Sequence, residues 1–351
     1  MSEAAKIRVL VVEDSPSQRE ILSWVIRTSS DLVVAGEAQN GAEALEQVQA
    51  LAPDIVLMDC HMPVMDGIEA TREIMRKCPV PIVMTSVSFY ARDLHPGLEA
   101  LREGALAIVP KPLDPDDPGF DAVVEELRLS LRLMSDVAVV RRSPPRAPMR
   151  ERAARPLTQK TSMIAIGAST GGPPVILSIL RHIATDLKVP VLVVQHMAPN
   201  FTAGFASWLA RGANLPVEMA AADVLAKPGH VYLGPEDRHL GIDRQGRLVL
   251  DDGAPENGFR PSVSHLFRTL GDAYGPAGLA VLLTGMGEDG AEGLAHVARC
   301  GGVTVAQDKE SSVVFGMPAA AIRRGAAKHV LDPAEIARFI CAQLARKSLS
   351  S

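Results

Sequence analysis

Acidic residues stand at the ends of apolar runs in the first part of this 351-residue sequence. Glu13 and Asp14 follow the run Ile7–Val12, and Asp59 follows Asp54–Met58. Ser86 closes the run Pro81–Thr85, and Lys111 comes after Ala107–Val109, just before Pro112. If these runs are neighbouring parallel strands, their carboxyl ends share one edge, where doubly wound sheets bind ligands. Three carboxylates at one edge repel one another and call for a hard cation. Mg²⁺ suits them, because it takes oxygen ligands and bridges to phosphate. Metal and lysine together neutralise phosphoryl oxygens, so the set predicts phosphoryl transfer to an aspartate. Each residue alone is an ordinary polar strand end; the five at one edge carry the inference.

A second constellation lies further along. In Ile164-Ala165-Ile166-Gly167-Ala168-Ser169-Thr170-Gly171-Gly172 an apolar run gives way to G-x-S-x-G. That pattern presents a serine hydroxyl on a sharp strand-to-helix turn. A phosphate-cradling loop is the competing reading, but no G-K-[ST] follows and G-x-G-x-x-G is incomplete. A nucleophilic serine needs a base, and the base needs an orienting carboxylate. His196 follows the run Pro190–Gln195 and is the first candidate base, with His239 and His265 still open. His182 and His296 fall late in helical stretches and read as surface or packing residues. Asp289, in the glycine-rich Thr284–Gly290, and Asp308, after Val303–Ala306, are rival orienters. The glycines around Asp289 let backbone approach an imidazole closely. The order Ser, His, Asp along the chain differs from the Ser, Asp, His of α/β-hydrolases.

These residues need a scaffold that brings strand ends together. Over residues 6–134 the apolar runs, with Leu32–Ala35 as the second, alternate with helical patterns such as Gly41–Leu51 and Phe120–Met134. Five such units predict a doubly wound, five-stranded parallel sheet of the flavodoxin-like kind. Over 161–351 the alternation continues less regularly. Strands are expected at Ser162–Ile166, Pro190–Gln195, Leu279–Thr284 and Val303–Ala306, and helices at Pro173–Ile183, Thr202–Arg211, Val263–Ala273, Ala291–Arg299 and Pro333–Ala345. This second domain is predicted to be a doubly wound, mostly parallel α/β sheet. A small antiparallel hairpin patch is expected in Gly229–Gly234, His239–Asp243 and Arg247–Leu250, turning at Arg244-Gln245-Gly246.

Composition bounds the rest. Apolar residues make up 47% of the chain and aromatics 4%, so the cores are aliphatic and a wholly disordered chain is excluded. Residues 1–140 carry 12 basic and 23 acidic side chains, residues 141–160 seven basic and one acidic, and residues 161–351 17 of each. The basic stretch contains Arg141-Arg142-Ser143-Pro144-Pro145-Arg146-Ala147-Pro148, a tether by composition. The expected division is 1–136, a linker at 137–160, and 161–351. Neither domain is basic enough for a nucleic-acid face, which counts against a DNA-binding regulator. No apolar run approaches a membrane span, so membrane insertion is not expected. Met1–Lys6 is polar and shows no secretory leader. Cys60, Cys78, Cys300 and Cys341 form no C-x-x-C pair, and a cytoplasmic protein with reduced thiols is expected.

Two stretches carry a resemblance. Val11-Val12-Glu13-Asp14-Ser15, Met58-Asp59-Cys60-His61-Met62-Pro63-Val64-Met65-Asp66-Gly67 and Val109-Pro110-Lys111-Pro112 resemble the receiver domain of two-component response regulators. The resemblance implies that Asp59 accepts phosphate from a histidine kinase of the chemotaxis type. It implies that Glu13, Asp14 and Asp59 hold Mg²⁺, that Ser86 is the switch hydroxyl and that Lys111 contacts the phosphoryl group. Two departures are Ile108, where receivers often place an aromatic switch residue, and a Pro-Gly within Ser88–Gly97, where a helix usually begins.

Residues 161–345 resemble the catalytic domain of the chemotaxis protein-glutamate methylesterases, through Ile166–Gly172, Val194-Gln195-His196-Met197, Arg260-Pro261-Ser262-Val263, Leu283–Gly290 and Gln307–Pro318. The resemblance implies Ser169 as nucleophile, His196 as base and Asp289 as orienter, with the backbone N–H groups of Thr170 and Met286 as oxyanion hole. It implies hydrolysis of glutamyl methyl esters on methyl-accepting chemoreceptors, with methanol released, and deamidation of receptor glutamines. No cofactor is expected for the ester chemistry. The receiver is expected to restrain the esterase until Asp59 is phosphorylated. Ser264 departs from the aspartate that the family usually shows after Pro-Ser-Val. A non-enzymatic response regulator that signals by phosphorylation-dependent binding is the alternative.

Overall fold

The first 135 residues supply five short runs dominated by Val, Ile, Leu and Met, each too short for a helix and bounded by polar turns. In the computed structural model they are β1 (Ile7–Val12), β2 (Leu32–Ala38), β3 (Ile55–Asp59), β4 (Ile82–Ser86) and β5 (Ala107–Pro110). They alternate with α1 (Pro16–Arg27), α2 (Gly41–Leu51), α3 (Gly67–Lys77), α4 (Leu94–Glu103) and α5 (Phe120–Ser135). The structure describes residues 6–86, 94–135, 137, 139, 161–197 and 201–345. All pairings in this sheet are parallel and the order is β2-β1-β3-β4-β5. This is the five-stranded doubly wound sheet that the alternation predicts. Val9–Val12 and Ile55–Met58 are fully buried, as a sheet covered on both faces requires.

Helix starts are set by local chemistry. The Asn40 side chain accepts from the Ala42 and Glu43 N–H groups at α2, and Asp66 accepts from Glu69 at α3. The Pro-Gly that departed from the receiver pattern does not prevent α4, which begins at Leu94. Pro96 falls in its first turn, where no intrahelical N–H partner is needed. The rest of that departure, 88–93, lies outside the described residues.

The chain divides into two compact units, Met1–Arg152 and Ala153–Ser351. The expected linker, 137–160, lies outside the described residues apart from Val137 and Val139. The second unit contains β6 (Met163–Ala168), α6 (Gly172–Ile183), β7 (Val191–Gln195), α7 (Thr202–Ala213), β8 (Val217–Met219), β9 (Val231–Leu233), β10 (His239–Ile242) and β11 (Leu248–Asp251). It continues with α8 (Val263–Tyr274), β12 (Gly278–Leu282), α9 (Ala291–Arg299), β13 (Val303–Gln307), α10 (Met317–Arg323), β14 (His329–Leu331) and α11 (Pro333–Leu344). Seven strands pair in parallel in the order β14-β13-β12-β6-β7-β9-β8.

Only β10 and β11 form the antiparallel hairpin. The Gly229–Gly234 part of the expected patch instead enters the main sheet as β9, because Val231, Tyr232 and Leu233 are all buried and pair with β7. The aliphatic faces of β6, β7 and β12 pack with Val263, Leu266, Phe267 and Leu270 of α8. Each such side chain contributes roughly 1.5–3 kcal/mol on burial. No described helix is long and apolar enough to cross a membrane.

Candidate active site

Parallel pairing of β6 with β7 sets the first distance. Ala168 is in register with Gln195, and the His196 N–H donates to the Ala168 carbonyl at 3.0 Å. Ser169 and His196 therefore leave two adjacent strands at the same level. After Ser169 the chain turns sharply. The Gly172 N–H donates to the Ser169 carbonyl, and Gly171 sits at φ 76°, the left-handed region that glycine adopts without strain. The Gln195 side chain steadies this turn by donating to the carbonyls of both Ser169 and His196. Strand, turn and helix follow as the G-x-S-x-G pattern predicts.

The next strand over is β12, and the chain beyond it closes on the same point. The Ser169 N–H donates to the Thr284 carbonyl. A Cβ on Gly285 would stand 2.7 Å from the Ser169 Cβ and collide with the Met317 sulfur, so only glycine fits there. Asp289 is wholly buried. Its Oδ1 accepts from Ser262 Oγ (2.8 Å), Ser264 N–H (3.0 Å) and Gly290 N–H (2.8 Å), and its Oδ2 accepts from Val263 N–H (2.7 Å). Oδ2 also lies 3.0 Å from His196 Nε2. Burial disfavours its charge, but the His196 partner and the N–H groups of Val263 and Ser264 outweigh that and hold the carboxyl well below the usual range. Those N–H groups open α8, whose N-terminal dipole favours an anion.

The three rival residues do other work. Asp308 accepts from the Ser311 N–H and hydroxyl, closing its own loop. The His239 Nδ1 accepts from the Ser262 N–H, so its proton is on Nε2, which donates to the Ala254 carbonyl. Both of its nitrogens are engaged, and the ring stacks on His265. His265 pairs with Glu256, as does Arg268. Ser264 accepts from the Gly290 N–H at 2.8 Å and braces the turn that carries Asp289.

The orientation of His196 was not legible in the sequence. Nε2 faces Asp289, and Nδ1 is buried without a hydrogen-bond partner among the described residues. Phe259, which no sequence pattern singled out, stacks on the imidazole with ring centroids 3.8 Å apart and planes 4° from parallel. It is delivered by a two-residue hairpin turn in which Glu256 and Phe259 exchange backbone hydrogen bonds around Asn257-Gly258, both at positive φ. The Asn-Gly pair is a strong hairpin signal and is the feature that points to this turn. Among the described residues no hydrogen bond engages the N–H of Thr170 or of Met286, and the Met286 side chain is exposed.

The first unit holds the other set. Lys111 Nζ lies 2.7 Å from Glu13 Oε2 and 2.8 Å from Asp59 Oδ1, all three side chains being buried. Asp14 is exposed, and oxygens of Glu13, Asp14 and Asp59 lie within 4.8 Å of one another. Burial, and then the Asp59 charge, push the Glu13 pKa up. Burial opposes the Lys111 ammonium, but Asp59 and Glu13 outweigh it and raise its pKa. One ammonium against three carboxylates leaves excess negative charge, a donor set that fits a small oxygen-seeking dication. Ser86 ends β4 at this edge, and its carbonyl accepts from the Lys111 N–H.

Known proteins agree with both halves. Residues 9–118 match the response regulator receiver domain and residues 164–340 match the CheB methylesterase domain. The chain is similar to protein-glutamate methylesterase/protein-glutamine glutaminase 4 of Myxococcus xanthus, 46% identical over 336 residues that cover 94% of this chain and 95% of the relative. A relative of the same name, numbered 1, from Syntrophus aciditrophicus is 43% identical over 342 residues, covering 95% and 97%. Among solved structures, the CheB methylesterase catalytic domain of Thermotoga maritima superposes with a TM-score of 0.50 at 37% identity, over 52% of this chain and 99% of that one. With a receiver sheet ahead of a serine-elbow sheet, this chain belongs to the CheB protein-glutamate methylesterase/protein-glutamine glutaminase family.

Proposed function

We propose that this chain hydrolyses glutamyl methyl esters on methyl-accepting chemoreceptors and deamidates receptor glutamines, under control of phosphorylation at Asp59. The observation that carries the reading is the buried His196–Asp289 pair, with His196 leaving the strand next to that of Ser169 and one imidazole nitrogen unpartnered among the described residues. Asp289 is held as the anion, so it takes the Nε2 proton as a hydrogen bond and leaves Nδ1 as the basic nitrogen. Ser169 Oγ attacks the side-chain carbonyl carbon and its proton passes to Nδ1. The oxyanion is received by the Thr170 and Met286 N–H groups, each worth about 3 kcal/mol of barrier lowering by analogy with other oxyanion holes. His196 returns the proton to the leaving methoxide, and methanol departs. Water, deprotonated by His196, then releases the glutamate and regenerates Ser169. With a glutamine substrate the leaving group is ammonia.

In this reading residues 1–136 are the receiver, 137–160 a linker and 161–351 the catalytic domain. Asp59 takes a phosphoryl group from a histidine kinase, Lys111 contacts its oxygens, and Ser86 is the switch hydroxyl. Glu13, Asp14 and Asp59 are the residues that would hold Mg²⁺, which would supply neutralisation of the phosphoryl oxygens. The unphosphorylated receiver keeps ester turnover low. Incubating the protein with methyl-labelled receptor membranes, with and without a phosphodonor, tests the whole reading. Methanol release that rises with the phosphodonor and disappears in Ser169→Ala is expected. Release that survives Ser169→Ala overturns it.

A further inference from the structure

Helices α8 and α9 pack along each other, and their N-terminal ends hold Asp289. Their C-terminal ends carry a second cluster that the ester chemistry does not use. Asp272 lies in the last turn of α8, His296 near the end of α9, and Cys300 is the residue that caps α9. His296 and Cys300 are four residues apart, so they share one helix face. His296 Nε2 is 2.7 Å from Asp272 Oδ1 and 3.5 Å from Cys300 Sγ. All three donor atoms lie within 4.8 Å of one another. Gly271 makes room for them: a Cβ there would stand 2.8 Å from His296 Cδ2 and 3.4 Å from Cys300 Sγ.

We propose that Asp272, His296 and Cys300 form a binding site for a divalent transition metal of the zinc class, with solvent in the fourth position. Thiolate and imidazole select such metals over Mg²⁺ and Ca²⁺, which prefer oxygen. Tetrahedral zinc with ordinary bond lengths separates nitrogen and sulfur ligands by about 3.6 Å and nitrogen and oxygen ligands by about 3.3 Å. The nitrogen–sulfur spacing of 3.5 Å is already that of a metal site. The Asp272 oxygen must move outward by roughly half an ångström, and its side chain is 66% exposed and free to do so. A carboxylate and a thiolate balance the dication's charge. Asp272 is about 15 Å along α8 from Ser262 at 1.5 Å per residue, so the metal would not touch the ester site. It would clamp the far ends of two helices whose near ends hold Asp289. The proposal is independent of the esterase reading.

The test uses full-length protein, reduced and freed of metal, in excess Mg²⁺ to occupy the receiver carboxylates. Co²⁺ serves as the spectroscopic probe. One equivalent should produce a near-ultraviolet thiolate-to-cobalt charge-transfer band with intense tetrahedral visible bands, and one equivalent of Zn²⁺ should discharge both. Cys300→Ser should abolish the charge-transfer band. His296→Gln and Asp272→Asn should each weaken Zn²⁺ binding at least tenfold in competition with a chromogenic chelator. Circular dichroism and basal ester turnover of all three variants should match the parent. Absence of the band, its persistence in Cys300→Ser, or unchanged Zn²⁺ affinity in His296→Gln overturns the site.

Discussion

Replacing Asp289 with asparagine separates its two tasks. The Oδ1 position accepts from Ser262, Ser264 and Gly290, and an amide oxygen can keep those bonds. The Oδ2 position would become an NH₂ group facing the Val263 N–H and His196 Nε2. Loss of a hydrogen bond to a charged acceptor costs about 1.5–3 kcal/mol, which a domain of ordinary stability survives. The effect on turnover is larger. An amide that donates to Nε2 forces the imidazole proton onto Nδ1, the nitrogen proposed to accept from Ser169. Turnover should fall by roughly 10²–10⁴, equivalent to about 2.7–5.4 kcal/mol of barrier, and less than in Ser169→Ala. Among the described residues the Asp308 carboxylate bonds only Ser311, so Asp308→Asn should cost under about tenfold. The assay is methanol release from methylated receptor membranes at one pH, with circular dichroism to verify folding. A folded Asp289→Asn within tenfold of the parent, or a larger loss in Asp308→Asn, would refute the reasoning.

Phe259→Leu removes a stacking contact of about 0.5–1.5 kcal/mol and should lower kcat about three- to tenfold with little change in KM; an unchanged kcat means that the ring does not position His196. Asp59→Asn should block labelling by acetyl phosphate and phosphodonor activation while basal turnover persists, and retained labelling would assign the phosphate elsewhere. A fragment starting near Arg152 should release methanol faster than the unphosphorylated full chain, whereas equal or slower release would mean that the receiver activates without first inhibiting. His265 gives a pH dependence. Burial lowers its pKa, against the opposing pull of Glu256, so the unfolded chain takes up a proton at higher pH than the folded one. The resulting stability is complete above about pH 6.5 and declines as pH falls below it. His265→Gln should flatten melting temperature against pH over that range, and a slope identical to the parent's would exclude this histidine.

Strands with aliphatic runs were legible because their burial on both faces leaves a continuous apolar signature, as in Val9–Val12 and Val191–Val194. The three-residue β8 and β14 carry too few side chains for a pattern, and both lie toward sheet edges. Gly229–Gly234 misled for a similar reason: β9 has three residues, and its partner is set by tertiary packing rather than by a nearby turn. At the site, Ser169, His196 and Asp289 could be nominated because strand ends converge in this architecture. Which edge of the imidazole faces Asp289 depends on a ring torsion, and the Phe259 stack depends on where a distant hairpin lands. Neither quantity has a local sequence signature.

The spacing between Ser169 and His196 comes from the pairing of two interior strands, Ala168 opposite Gln195, both buried. Phe259 and Met286 stand instead on glycine-containing turns at the rim, beside Gly258 and Gly287 at positive φ. Divergence within such a protein is therefore partitioned. Changes that alter the ladder displace Ser169 and His196 together with the whole sheet, and so act first as folding defects. Changes at the rim leave the ladder intact and alter only what surrounds the reacting carbonyl. New substrate preferences would therefore arise in the turns while the two strands stay fixed.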